Sequence, residues 1–207
     1  MRSRCVLTVL FFGSLWGMWE AIVGDYLHSH HIPNSSIYLS VGAFFFLALA
    51  RGYLNRRGSS TAIGSIAMLY KIFNSPFYAC HLWAIFLLGA SFDITASLLL
   101  KEDAPFPKQA LTGVLGVYLG FSLFAFSITC IFRYYWWIQA GLPRIFHYIT
   151  YNATAVAVAS AVLVPLGTWT GRTVGTLSSV RGKVPAYVHP LMGGLTVLWW
   201  LLGFLRA

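Results

Sequence analysis

Apolar residues fall in long runs along this chain, and most of the charged ones fall in the breaks between them. Runs of about 20 residues match the thickness of a bilayer's hydrocarbon core. A helix satisfies its own backbone groups in lipid, so such runs are expected to be helices. Seven are predicted, over residues 5–27, 35–51, 59–74, 77–100, 109–133, 145–168 and 187–205. The third is short, which leaves six full crossings as the other count. Met1-Arg2-Ser3-Arg4 followed by an apolar run has the outline of a signal peptide. The run continues through Trp16, Trp19 and Glu20 without a cleavage site, so it is read as a first transmembrane helix.

The breaks agree with these limits. Pro33-Asn34 precedes helix two, and Asn74-Ser75-Pro76 is expected to turn between helices three and four. Pro105 and Pro107 mark the Lys101–Lys108 loop, and Gly141-Leu142-Pro143 stops the chain before helix six. Residues 169–186 are rich in Gly, Ser, Thr and basic side chains and read as a loop.

Composition narrows the class. Of 207 residues, 58% are hydrophobic and 9% charged, against roughly 25% charged in a soluble domain. Too few charges remain to cover a water-facing surface. The fold class expected is therefore an all-α integral membrane protein. It is read as one domain over residues 1–207, a six-helix core at about 5–172 with a further helix at about 187–205. The net charge of +9 does not point to nucleic acid here; it fits basic residues retained on cytoplasmic loops. With the N-terminus inside, ten Lys and Arg fall on the inner side and three on the outer, which sets the orientation.

That orientation brings polar side chains to one leaflet. Ionisable residues within spans are costly and face the bundle interior or a watery cavity. Glu20 and His28 lie in the outer half of helix one, Lys71 ends helix three, and His81 begins helix four. Arg133 and Tyr134 end helix five, and His147, Tyr151 and Asn152 begin helix six. Together they suggest an outward-facing pocket for a small molecule, with Glu20 holding a protonated nitrogen and Lys71 or Arg133 a carboxylate or phosphate. An ion pair between Glu20 and Lys71 is the structural reading of the same two charges. The aromatic run Tyr134–Trp137 is also what a membrane interface attracts. Asp93 is the clear intramembrane charge in the inner half.

Two further features stand beside the pocket. His28, His30 and His31 share a short outer loop and are weak candidates for a transition metal. Gly13, Gly17 and Ala21 form a small-residue stripe of the kind that lets helices approach closely, either within the bundle or against a partner subunit. Cys5, Cys80 and Cys130 show no metal-ligand spacing, and a Cys80–Cys130 disulfide is conceivable by topology although free thiols fit better. There is no Gly-rich phosphate loop, GxSxG, HExxH or carboxylate cluster. The chain is therefore read as a non-enzyme with no cofactor.

The first third resembles the substrate-binding S components of energy-coupling-factor (ECF) transporters, in particular uncharacterised prokaryotic members. The resemblance lies in Gly13-Ser14-Leu15-Trp16-Gly17-Met18-Trp19-Glu20-Ala21, then Gly24, Leu27-His28, Ile32-Pro33 and Val41-Gly42. Arg56-Arg57-Gly58-Ser59-Ser60, Tyr70-Lys71 and Leu166–Gly171 before Arg172 extend it. It covers residues 10–75 well and 76–172 loosely. The resemblance implies a bundle of about six helices in the cell membrane with an extracellular-side pocket for a vitamin-like or metabolite substrate. It also implies a docking face on helix one for a transmembrane coupling subunit, which joins a pair of cytoplasmic ATPases. The helix at 187–205 and the histidine-rich loop depart from the family pattern. The residues also admit a non-catalytic structural subunit of a respiratory or photosynthetic complex, or a metal- or haem-binding membrane protein.

Overall fold

The computed structural model describes residues 2–72, 79–101, 104–180 and 188–206. Within them the helices are α1 (Arg2–Ser29), α2 (Ser35–Leu54), α3 (Ser59–Ile72), α4 (Ala79–Leu99), α5 (Phe106–Phe126), α6 (Tyr135–His147), α7 (Thr154–Val180) and α8 (Val188–Arg206). The described residues contain no strand. Five stretches are long and apolar enough to cross a membrane: Cys5–Ser29, Ser35–Leu54, Ala79–Leu99, Phe106–Ile131 and Tyr135–Gly175. The chain is a multi-pass, all-α membrane bundle. The short third segment is a 14-residue helix, about 21 Å long. The turn expected at Asn74-Ser75-Pro76 lies outside the described residues.

Six helices close into a ring in the order α1, α3, α4, α5, α7, α2 and back to α1. Its centre is filled by Trp16, Phe44, Ile63, Phe92, Val117 and Val164, each fully buried. Phe44 meets Phe92 edge to face at 5.5 Å, the arrangement aromatic pairs prefer. α8 stands outside the ring against α1, where Trp200 Nε1 donates to Ser14 Oγ at 2.9 Å. Tyr70 Oη donates to the Trp199 carbonyl at 2.7 Å, joining α3 to the same helix.

Small residues decide two of the seams. A methyl added at Gly13 would lie 2.5 Å from Ile66 Cβ, and one at Gly17 2.5 Å from Tyr70 Cβ. Gly13, Gly17 and the buried Ala21 are thus covered within the bundle, the first two by α3. Of the two readings of this stripe, these contacts match packing within the bundle. The second seam joins α2 to α7. Gly167 rests on Ala48, Gly171 on the Leu49 main-chain oxygen, and Gly52 on the Thr168 main-chain oxygen. That row explains why α7 runs on to Val180, where a loop was expected from residue 169. Glycines at every fourth position lower helix propensity, but they present a flat face on which α2 packs.

One end of the ring is fastened by a buried ion pair. Arg51 on α2 and Asp93 on α4 meet at 3.2 Å, both nearly excluded from solvent. Asp93 also takes the Gly58 and Thr61 amides at 3.1 and 3.0 Å, and the hydroxyls of Thr61 and Ser97 at 3.1 and 3.2 Å. A carboxylate from a neighbouring helix thus caps the first turn of α3, where free amides and the helix dipole favour negative charge. Arg51 in turn donates to Ser97 Oγ and to the Arg56 carbonyl. Sequence placed Arg51 with the loop cations; the structure buries it.

Between α5 and α7 the chain makes two wide π-helical turns, Ser127–Ile131 and Tyr148–Ala153, with α6 between them. No residue of α6 is buried. Gly141 at φ 61 and the following Pro143 kink it, at the break the sequence marked. This helix was not expected; residues 134–144 fell between the helices read at 109–133 and 145–168, with Tyr134–Trp137 as interfacial aromatics.

Candidate functional site

At the end of the ring away from Arg51, four helices surround a cavity of about 150 Å³. α1 contributes Glu20, Gly24, Asp25 and His28; α2 contributes Ser35, Ser36, Leu39 and Ser40. Lys71 comes from α3, and His81, Ala84, Ile85 and Leu88 from α4. Burial gives it a direction. Glu20, Ser40, Ile85 and Leu88 are 3–7% exposed, whereas Asp25 is 47% exposed at its side chain and His28 and His81 are open. The eight residues from Glu20 to His28 make the depth about 12 Å at 1.5 Å of rise each. An engineered apolar cavity of similar volume holds a benzene ring, so the space suits a single-ring molecule.

The charges at the site are arranged as follows. Trp16 Nε1 donates to Glu20 Oε1 at 3.1 Å. Lys71 does not pair with the Glu20 carboxylate. Its Nζ donates to the Glu20 main-chain oxygen at 3.0 Å and lies 4.0 Å from Asp25 Oδ1. The ion pair expected between Glu20 and Lys71 is therefore replaced by Asp25–Lys71 nearer the mouth.

Four of the nine expected site residues, Glu20, His28, Lys71 and His81, line this cavity. Asn152 stands behind it: its Nδ2 donates to Ser36 Oγ at 3.3 Å, and its buried Oδ1 has no hydrogen-bond partner among the described residues. Arg133, Tyr134, His147 and Tyr151 do not line it. All four are exposed around α6, where His147 stacks on Tyr151 at 5.2 Å and Arg133 adopts φ 49. α6 and the segments on either side of it hold these side chains, and none of these segments contributes to the cavity lining. Sequence reasoning left Asp25, Ser35, Ser36 and Ser40 out of the site. Their signal was present: Ser36 and Ser40 are one turn apart at the start of α2, and Asp25 lies between Glu20 and His28.

The histidine loop does not converge. His28 lines the cavity, while His30 Nδ1 is held at 2.9 Å from the Tyr26 carbonyl and its ring packs 4.2 Å from that of Tyr26. Among the described residues, no three His, Cys, Asp or Glu side chains are placed to hold a metal ion. Cys5, Cys80 and Cys130 are free thiols. With these three replaced by alanine, cysteines placed at Ser35 and Ser40 should report the depth. Ser35→Cys is expected to react with a water-soluble maleimide about tenfold faster than Ser40→Cys, because labelling follows exposure. Equal rates would mean the cavity has no closed floor.

No family model matches this chain, and neither a curated protein nor a solved structure matches it.

Proposed function

We propose that this chain is the substrate-capturing subunit of an energy-coupling-factor-type transporter in a prokaryotic cell membrane. The observation that supports it is a ring-sized cavity, open at one end and lined by four helices, three of which supply ionisable side chains. A lipid-embedded bundle that serves only as scaffold has little reason to gather Glu20, Asp25, Lys71 and two histidines around one cavity. The excess of Lys and Arg on one side supports a cytoplasmic N-terminus, and with that orientation the cavity would open outward. Capture would take place from outside, and release would follow tilting of the subunit, driven by cytoplasmic ATPases through a transmembrane coupling subunit. Because α3 covers Gly13 and Gly17, the coupling subunit would meet another face of the bundle.

The test is purification in lipid nanodiscs with mass spectrometry of every co-eluting protein and small molecule. A coupling subunit with ATPases, or a bound metabolite, is the expected result. Redox or photosynthetic subunits in its place would overturn the proposal and make the chain a structural subunit of such a complex.

A further inference from the structure

The cavity holds two carboxylates, Glu20 and Asp25, and one lysine. Asp25 and the Glu20 main-chain oxygen already occupy Lys71. The Glu20 carboxylate is left with Trp16 Nε1 as its one side-chain donor among the described residues. Glu20 is 6% exposed, and a carboxylate has room for about four hydrogen bonds. Burying such a group without compensation is costly, above all within a membrane. Leu39, Ala84, Ile85 and Leu88 supply apolar wall beside it.

We infer that the ligand of this cavity is a small, ring-sized cation that seats a protonated or hydrogen-bond-donating nitrogen on the Glu20 carboxylate. This rests on the pocket reading above and sharpens it. Among the described residues, the cavity has one lysine, which Asp25 and the Glu20 main-chain oxygen already face. Its surplus charge at depth is negative, and a charged donor on a buried carboxylate is the strong form of hydrogen bond. The apolar wall takes the ring, and Ser35, Ser36 and His28 at the mouth remain for polar substituents.

Three probes that share one ring test the charge: benzylammonium, benzyl alcohol and benzoate, titrated calorimetrically against the protein in phosphatidylcholine nanodiscs. Benzylammonium should bind about 10- to 100-fold tighter than benzyl alcohol, the margin of a charge-assisted hydrogen bond. Glu20→Gln should remove that margin and leave benzyl alcohol within about twofold. Should Glu20→Gln elute as aggregate, Glu20→Asp keeps the charge and should retain the preference. Equal binding of the three probes, binding of none, or a preference for benzoate lost in Lys71→Met would overturn the inference. So would a benzylammonium margin untouched by Glu20→Gln. The transport reading is tested separately on the same preparation. Coupling subunits co-eluting with a benzoate-preferring protein would leave transport standing and end the cation. A Glu20-dependent benzylammonium site in a protein that elutes with redox subunits would do the reverse.

Discussion

Asp93→Ala should destabilise the bundle by about 3–5 kcal/mol, the usual cost of removing one partner from a buried ion pair. The loss reaches beyond the pair. Arg51 is 3% exposed at its side chain and keeps its charge with only Ser97 and a carbonyl to receive it. The Gly58 and Thr61 amides lose their acceptor at the first turn of α3. Thermal unfolding in detergent, followed by helical circular dichroism, measures the change. Arg51→Met with Asp93→Leu removes both charges and should be less damaging than Asp93→Ala alone, since no unpaired charge remains. A double variant as damaged as the single one would show that Asp93 acts through the α3 cap rather than through the pair. A single variant within about 1 kcal/mol of the parent would mean the site is wet or open to rearrangement.

Gly171→Ala is expected to cost about 3 kcal/mol, at the upper end of what overpacking does. The added methyl would press on the Leu49 main-chain oxygen and approach the Tyr53 amide at 2.9 Å. Those are backbone atoms of a packed helix, so relief requires moving α2. Gly175→Ala is the control one turn away. There the methyl meets Tyr53 at 3.6 Å, an ordinary contact, and alanine restores up to about 1 kcal/mol of helix propensity. The two variants change the same atoms on the same helix, so opposite effects isolate the seam. The same melting experiment decides it; equal effects would mean that α2 and α7 are not in close contact.

The spans were legible because lipid demands long apolar helices, and that demand is written in the runs that became α1, α2, α4, α5 and α7. Their neighbours were less so. The Gly13 and Gly17 stripe announced a close approach, but nothing in a single sequence says whether the partner is α3 or another protein. The row Gly167, Gly171, Gly175 carried the same signal, and the polar residues around it hid it. Only contact with α2 makes that segment a helix worth extending. In the cavity, Glu20, His28, Lys71 and His81 were found together because alternate crossings put their helix ends on one side. The same argument put Arg133, Tyr134, His147 and Tyr151 there too. It fails for them because alternation gives depth but not azimuth, and these four lie on α6 and the segments on either side of it. Which carboxylate takes Lys71 was beyond it as well, since Glu20 and Asp25 differ by little more than one turn.

The seam between α2 and α7 also sets an order of events during synthesis. α2 ends at Leu54 and α7 begins at Thr154, so 99 residues lie between the two helices. At about 5–20 residues per second, α2 is in the bilayer for roughly 5–20 s before its partner exists. Through that interval Ala48 and Gly52 face lipid or whatever helix passes by. α1, α3 and α4 can assemble with one another in chain order, but the ring cannot close until α7 arrives. A nascent chain halted before Thr154 would therefore hold an open arc of helices, with the glycine face of α2 as the surface by which quality-control proteases could distinguish it from the finished protein.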